Sequence, residues 1–289
     1  YIQEGTQVRV DDLLRGIIIQ SGNDASVALA EHIAGTEDVF AEMMNQNAAR
    51  IGMKDSHFMN ATGLPEEDHY TTAHDLARLT VALIRDFPEG YKLNSEKYFT
   101  YNNIRQPNRN NLLWRDPTVD GVKTGHTDAA GYCLVASAER NGMRLVSVVM
   151  GAASEESRAQ ESQKLLTYGF RYFETAHLYK GQEALRNVRV WGGETGQSAL
   201  GLGDDVVITI PRGSKDKLTA TIDVDAVIEA PLNPGDVKGK LTVTLDGESV
   251  YTGDLVALSK MEEGGFFSRL WDSIALFFLQ LMGGDPLTP

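Results

Sequence analysis

The chain has 289 residues, enough for two domains of ordinary size, and 42% hydrophobic with 23% charged residues is a globular composition. Its formal net charge of −13 argues against nucleic acid as a partner, because nucleic-acid binding needs a basic face. A single cysteine, Cys133, excludes an intrachain disulfide framework, and no Cys/His pattern has zinc-ligand spacing. We therefore expect no metal and no cofactor.

The first third of the chain is predicted to be helical. An amphipathic run starts at Val10, becomes continuously apolar at Ile17–Ile19 and stops at Ser21-Gly22-Asn23. A second helix is predicted over 25–33, with Asp24 as its N-cap. Two interpretations of the polar triplet stay open. It either stops one helix before the cap of the next, or it holds a hydroxyl and an amide rigidly in a cleft.

A loop and a further helix follow. The loop, His57–Pro65, is rich in turn-forming residues. The helix begins after Tyr70, and Thr72 is its predicted cap. The stretch 87–112 is polar, and we expect only short strands in it.

The stretch Asp120–Thr127 contains a Lys-Thr-Gly triplet at the start of a predicted strand. In serine acyl-transfer enzymes such a triplet lines one wall of the cleft. Gly125 has no Cβ, so a substrate can lie against the strand edge as an extra strand. Lys123 places a cation, and Thr124 a hydroxyl, beside a substrate carboxylate. Three residues alone carry little weight, so companion motifs are required.

After this triplet the pattern is strongly β. Apolar runs at 132–138 and 144–150 are joined by a turn containing Asn141-Gly142, a strong signal for a hairpin. A helix is then predicted from about Ser157 to Phe173. Arg158 lies in its first turn, where a cation is unfavourable for the helix dipole. That conflict suggests an anion contact for Arg158.

From residue 176 to 262 the pattern predicts a separate all-β domain, because short alternating runs are broken by Gly, Pro, Asn and Asp. It holds a Ser-x-x-Lys, Ser214–Lys217, which we interpret as a charged hairpin loop and not as a nucleophile. The predicted strands are Val188–Trp191, Val206–Ile210, Leu218–Val224, Ala226–Ala230, Leu241–Leu245 and Leu255–Leu258.

The last segment, 263–289, is predicted to form an amphipathic helix that contacts a membrane. Its apolar run, Phe266–Met282, is shorter than the ~20 residues of a transmembrane span and contains Arg269 and Asp272. A helix lying in one leaflet fits better. The alternative is packing on the β domain or on a second subunit. Leu276 interrupts the narrow polar stripe of the helix, which consists of Ser268, Arg269, Asp272, Ser273 and Gln280. The residues predicted to face lipid are Phe266, Phe267, Leu270, Trp271, Ile274, Phe277 and Phe278.

The order of these motifs resembles the low-molecular-mass penicillin-binding proteins, the D-alanyl-D-alanine carboxypeptidases of the bacterial cell wall. The shared features are Ser-Gly-Asn, the His-Phe-x-Asn-x-x-Gly-Leu loop, the Tyr-Thr-Thr-Ala-His-Asp-Leu helix start, Asp-Gly-Val-Lys-Thr-Gly-His-Thr, the hairpin, the β domain and the tail. The resemblance implies an α+β transpeptidase-like domain over 1–175, an all-β domain over 176–262 and an anchor helix over 263–289. It also implies a periplasmic location with attachment to the inner membrane.

The resemblance further implies a mechanism. A serine acyl-enzyme would remove the terminal D-alanine from peptidoglycan stem pentapeptides, and β-lactam antibiotics would acylate the same serine. Ser21 matches the family's proton-relaying serine, Asn23 the asparagine that orients the substrate, and Lys123 the lysine that supports the relay. The implied substrate-binding residues are Thr124, Gly125, His126, Arg158 and Arg109.

One family feature does not occur where it should. The Ser-x-x-Lys motif, which carries the nucleophile and its base, should precede Ser21, yet none of the residues 1–20 is a serine. We expect the missing part of the domain to lie outside this chain, because Ile17–Ile19 requires a core to complete it. The polypeptide alone should then be inactive. A remnant without acyl chemistry is the alternative.

Two other functions stay open. A class A β-lactamase shares the motif set but needs a Glu-x-x-Leu-Asn loop, and the nearest string, Glu89–Asn94, is one residue too long. The β domain and the tail also argue against a β-lactamase. The other alternative is a non-catalytic, membrane-tethered wall-binding protein. A Ser-x-x-Lys in the full-length gene product would decide against that alternative.

Overall fold

The computed structural model describes residues 2–282 and 286–287, and the chain divides into two compact units, Tyr1–Arg171 and Tyr172–Pro289. The first unit combines helices with an antiparallel sheet. Its helices are α1 Val10–Gln20, α2 Asn23–Ala34, α3 Glu37–Arg50, α4 Ala73–Asp86, α5 Pro88–Tyr91, α6 Leu112–Arg115 and α7 Glu155–Tyr172. Its strands are β1 Tyr98–Tyr101, β2 Ile104–Pro107, β3 Val119–Thr127, β4 Gly131–Arg140 and β5 Met143–Ala152.

The central sheet has the order β3-β4-β5, and both of its strand pairs are antiparallel. The predicted hairpin between β4 and β5 is confirmed. Asn141 and Gly142 form its turn with φ angles of 51° and 77°, the positive values that a tight hairpin turn requires. A core cluster that includes Leu134 and Ala136 of β4 and Leu166 of α7 is buried in this unit. Packing of α7 on the sheet thereby fixes the two elements that carry Arg158 and Lys123.

The start of α2 differs from the prediction. The helix begins at Asn23, and Gly22 occupies the N-cap position that we had assigned to Asp24. Asp24 lies in the first turn, where its carboxylate accepts hydrogen bonds from the N–H groups of Ala25 and Ile2, both within 2.9 Å. A carboxylate is favourable anywhere in the first turn of a helix, so the pattern could not decide between two adjacent positions.

The second unit is an all-β fold followed by one helix, as the sequence predicted. The strands are β6 Phe173–Tyr179, β7 Ala184–Arg189, β8 Gln197–Gly201, β9 Val206–Pro211, β10 Leu218–Val224, β11 Val237–Leu245 and β12 Glu248–Ala257, and the helix is α8 Phe266–Leu281. A five-stranded sheet has the order β10-β11-β12-β8-β7, and β6 pairs with β9.

One predicted strand was wrong. The run Ala226–Ala230 forms no strand and contributes only an isolated bridge between Glu229 and Trp191. Ile228 within it is nevertheless buried in the core of the unit. Pro231 follows at once and has no N–H to continue a ladder, so apolar character here reflects burial without strand pairing.

The apolar side of α8 is open to solvent. All seven residues predicted to face lipid are exposed, from 43% for Ile274 to 83% for Phe267. Among the described helices, none is long and apolar enough to cross a bilayer. An exposed apolar patch of this size on a folded unit marks an interaction surface.

Candidate active site

Ser21 lies at the C-terminal end of α1 in the left-handed conformation, with φ 57° and ψ 47°. Its N–H donates to the carbonyl of Ile17 at 3.0 Å, and the N–H of Gly22 donates to the carbonyl of Gly16 at 3.0 Å. These bonds satisfy carbonyls at the helix end and turn the chain sharply. A serine at positive φ is uncommon. Because the backbone of Ser21 leaves the helical conformation, its hydroxyl points in a direction that a residue within α1 could not give it.

Lys123 reaches Ser21 from the central sheet. Its Nζ donates to Oγ of Ser21 and, at 2.8 Å, to the carbonyl of Thr124. Pairing of Lys123 with Val135 sets the register of β3 on β4. A slip by one residue would move Lys123 to the opposite face of the sheet, so the β3–β4 register fixes this contact. The structure thus brings together the serine of one predicted motif and the lysine of the other.

Burial, together with repulsion from Arg109 and Arg158, lowers the pKa of Lys123 to about 8. Within the residues that the structure describes, no carboxylate lies within salt-bridge distance of Lys123. A lysine with a pKa near neutrality can both hold and release a proton at working pH. Among the described residues, the one carboxylate in salt-bridge distance of these three cations is Glu155, 3.7 Å from Arg158, so the cluster keeps an excess of positive charge that favours an anion.

Arg158 extends from the first turn of α7 and is only 3% exposed. Its Nη1 donates to the carbonyl of Gly125 at 3.2 Å, and its Nη2 donates to the carbonyl of Arg109 at 3.5 Å. Glu155 is 3.7 Å from the same guanidinium. Burial lowers the pKa of Arg158, but an arginine stays charged in proteins. It therefore clamps β3 to the Arg109 segment, a role that the sequence pattern did not reveal.

Two buried asparagines hold the segment around Arg109, and sequence reasoning missed both. The N–H of Arg109 donates to the carbonyl of Ile19 at 3.3 Å. Asn110, 1% exposed, donates from Nδ2 to the carbonyl of Gly121 at 2.9 Å. Asn108 accepts from the N–H of Asn110 at 2.9 Å. The available signal was the three asparagines within residues 108–111, directly before Leu-Leu-Trp, because amides next to apolar residues are often buried and bonded to backbone.

Thr124 lies on its predicted strand, whereas Asn23, predicted in the connection between two helices, begins α2. Asn23 is exposed there, two residues after Ser21, and Thr124 is buried on β3. Neither side chain makes a hydrogen bond to any of the residues that the structure describes. Both amide and hydroxyl are consequently available to a ligand without first breaking an internal bond.

Gly125 and His126 form the exposed end of β3. A Cβ added at Gly125 would meet only Cβ of Cys133, at 3.8 Å, an ordinary contact. Packing within the protein therefore gives no reason for glycine here, whereas a neighbouring extended chain would. The His126 ring lies on the ring of Tyr132 with centroids 4.0 Å apart.

Hydrogen bonds to Asp120 connect β3 to Tyr91 and Arg144. The hydroxyl of Tyr91 donates to Asp120 at 2.8 Å, and Arg144 donates to the same carboxylate at 2.7 Å. Burial raises the pKa of Tyr91, so the phenol stays a neutral donor. A Cβ on Gly121 would lie 2.5 Å from the Tyr91 hydroxyl, so the close approach of Tyr91 requires glycine at this position.

Two family descriptions cover most of the chain. Residues 1–154 match D-alanyl-D-alanine carboxypeptidase, and residues 173–263 match the C-terminal domain of penicillin-binding protein 5. The chain belongs to the D-alanyl-D-alanine carboxypeptidase family. It is 45% identical over 285 residues to the carboxypeptidase DacC of Escherichia coli, covering 98% of this chain and 71% of that protein. With DacF of Bacillus subtilis it shares 35% identity over 280 residues, 93% of this chain and 71% of that protein.

Solved structures of penicillin-binding proteins share this carboxypeptidase fold. Penicillin-binding protein 5 from Haemophilus influenzae superposes with a TM-score of 0.85 at 44% identity, over 91% of this chain and 77% of that one. Penicillin-binding protein D2 from Listeria monocytogenes, solved in a cefotaxime-bound form, matches with a TM-score of 0.53 at 34% identity, over 56% and 67%. The predicted family and the predicted α+β, all-β and helix organisation are confirmed.

Proposed function

We propose that this carboxypeptidase removes the terminal D-alanine from peptidoglycan stem pentapeptides through a serine acyl-enzyme, and that penicillins acylate the same serine. The observation that carries the proposal is the hydrogen bond from Lys123 Nζ to Ser21 Oγ. A hydroxyl bonded to a lysine whose pKa is about 8 is suited to pass a proton at neutral pH. Penicillin-binding protein D2, a relative of known structure, was solved with cefotaxime and with ampicillin.

In the proposed reaction a serine oxygen attacks the carbonyl carbon between the two D-alanines. The proton of the attacking serine passes to its base, the lysine of the proposed Ser-x-x-Lys segment. The C–N bond breaks, and the leaving amine receives a proton from the hydroxyl of Ser21, which recovers one from that lysine. Lys123, as an ammonium, stabilises that relay, and the free amide of Asn23 orients the peptide. Water then hydrolyses the ester and regenerates the serine.

The proposed substrate lies along β3 as an additional strand. Gly125 leaves the strand edge open, and the hydroxyl of Thr124 binds the terminal carboxylate of the peptide. The positive charges of Arg109 and Arg158 favour binding of that carboxylate. Direct contact is not required, because charges attract each other over several ångströms in a partly buried site. His126 extends the same edge. Arg158 in addition holds the Gly125 carbonyl and so positions the strand.

The nucleophile and its base are proposed to come from a Ser-x-x-Lys segment that is not among these 289 residues. The one Ser-x-x-Lys in the sequence, Ser214–Lys217, lies between β9 and β10. Its Lys217 is exposed and pairs with Asp246 at 3.3 Å. An exposed, charged turn of this kind gives no buried base for a serine. We therefore expect the polypeptide by itself to form no acyl-enzyme.

Covalent mass shift with penicillin tests this proposal. The full-length gene product, if it carries a Ser-x-x-Lys, is expected to be acylated and to release D-alanine from a D-Ala-D-Ala pentapeptide. The polypeptide of 289 residues should show neither. A mass shift on this shorter polypeptide would contradict the proposed origin of the nucleophile. A full-length product that is not acylated would favour a wall-binding protein, and fast penicillin hydrolysis would favour a β-lactamase.

We further propose that α8 attaches the protein to the periplasmic face of the inner membrane, with an anchor that begins near residue 263. Replacing Phe277 and Phe278 with serine is expected to weaken binding to phosphatidylcholine vesicles on the order of 100-fold or more, because each buried phenylalanine contributes ~1.5–3 kcal/mol. Vesicle co-sedimentation measures this. Serine at Val207 and Val250, which are exposed on strands of the same unit, is the matched control. Equal sedimentation of both double variants would disprove the attachment.

A further inference from the structure

One side of α8 faces its own unit, and the opposite side is uncovered. The half-buried residues are Asp272, Ala275, Leu276 and Leu279, whose spacing places them on a single side of the helix. This explains Leu276, which interrupts the polar stripe in the sequence. It lies one turn after Asp272 on the side turned towards the β domain, while the exposed aromatic residues occupy the other side.

Each carboxylate oxygen of Asp272 accepts a hydrogen bond from the β domain. Oδ1 accepts from Nη2 of Arg189 at 3.2 Å, and Oδ2 accepts from the N–H of Gly192 at 2.9 Å. The Asp272 side chain is 17% exposed and that of Arg189 is 32% exposed. The Arg189 guanidinium also lies 4.0 Å from the ring centroid of Trp191. A carboxylate bonded by a charged donor and a backbone donor is a strong, directional contact.

The same segment of the β domain also binds the chain on both sides of α8. Before the helix, the N–H of Gly264 donates to the carbonyl of Gly192 at 2.8 Å. After it, Nε1 of Trp191 donates to the carbonyl of Pro286 at 3.0 Å. The helix is therefore attached at its start, at its middle and beyond its end to one segment, residues 189–193.

Resting on the proposed membrane attachment, we propose that Arg189 and Asp272 form a latch that fixes the rotation of α8 and holds residues 189–193 beside the bilayer. The latch neutralises Asp272, and Arg269 pairs with Glu263, so neither charge of the helix is turned unpaired towards lipid. A free carboxylate there would oppose insertion. The uncovered side is apolar, and the occupant that fits it is a lipid surface without any requirement for anionic headgroups.

A distance measurement on the full chain tests the latch. Nitroxide labels at Thr219→Cys and Gln280→Cys, in a Cys133→Ser background, report the position of α8 relative to the β domain by pulsed electron resonance. We expect one narrow distance, unchanged when phosphatidylcholine vesicles are added. Asp272→Asn should lose that narrow distance while still binding vesicles, and Arg189→Met should lose it and bind vesicles more weakly, because it leaves the Asp272 carboxylate without its charged partner. Arg269→Met, which removes an exposed charge from the same helix, should keep it.

Each failure has a separate signature. Loss of vesicle binding by the labelled protein with the latch intact would disprove the membrane attachment itself. Normal vesicle binding with a broad distance when the latch is intact would overturn the latch alone, as would narrow distances in both latch variants. A distance between two copies of protein labelled only at Gln280→Cys, without vesicles, would show that a second copy covers α8 and would overturn the choice of lipid.

Discussion

Replacing Lys123 with methionine is expected to slow acylation of the full-length product by penicillin strongly and, at the same time, to stabilise the fold at neutral pH. Loss of one preorganised charged donor beside the reacting groups typically slows catalysis ~10²–10³-fold. Lys123 contacts Ser21 directly, so we expect a loss at least that large, measured as the rate of the penicillin mass shift. Acylation at an unchanged rate would remove Lys123 from the mechanism.

The stability gain follows from the pKa of the same lysine. Burial lowers the pKa of Lys123 from 10.5 to about 8 in the folded protein. The unfolded chain then binds more protons between these values, so stability rises with pH through this window and the penalty is fully present below it. Methionine removes the charge. We expect its free energy of unfolding to exceed that of the wild type by about 2–3 kcal/mol at neutral pH.

Urea unfolding at neutral and at strongly alkaline pH measures this difference. The difference in the free energy of unfolding between the variant and the wild type should disappear as the pH rises above the ordinary pKa of lysine. Lys164, exposed on α7, provides the matched control, since Lys164→Met removes a charge that solvent already screens. A stability gap that stays constant with pH would show that the effect of methionine is hydrophobic and not electrostatic.

Replacing Asn110 with alanine is expected to destabilise the first unit and to slow acylation, although Asn110 touches no proposed substrate. The substitution leaves the carbonyl of Gly121 and the N–H of Leu112 without the side-chain partners that they have at 2.9 and 3.1 Å. Each buried group left unpaired costs ~1–3 kcal/mol. A total of about 2–6 kcal/mol would lower the melting temperature by ~5–20 °C.

Asn111 offers a matched control for this prediction. It is adjacent, of the same residue type and only half-buried, and its side chain makes no capping hydrogen bond at the start of α6. Asn111→Ala should therefore change the melting temperature little. If both alanine variants have the same melting temperature, the hydrogen bonds of Asn110 to the backbone do not contribute to the stability of the site.

Many helices and strands could be predicted because each depends on residues close together in the sequence. Asn141-Gly142 marks the hairpin between β4 and β5 by the positive φ that both residues can adopt. The contact between Ser21 and Lys123 was inferred from the order of motifs, since no local property joins residues 102 positions apart. The predicted strand at Ala226–Ala230 was wrong because a short apolar run indicates burial but does not by itself distinguish a strand from another buried segment.

The supporting residues of the site could not be predicted for a physical reason. Asn110 and Arg158 bond to backbone carbonyls, which every residue possesses, so no partner is visible in the sequence. The position of Arg158 in a helix's first turn suggested a contact with an anion, and a contact with the substrate carboxylate stays a prediction. The partners in the structure are the carbonyl oxygens of Gly125 and Arg109, which carry partial negative charge, together with Glu155.

The most direct test of the proposed site is a double-mutant cycle between Ser21 and Lys123, read out as the second-order rate of penicillin acylation of the full-length product. If the two side chains act as one proton relay, Ser21→Ala combined with Lys123→Met should be no slower than the slower single variant, within a few-fold. If the two losses multiply, each residue acts independently, and the hydrogen bond between them has no part in the chemistry.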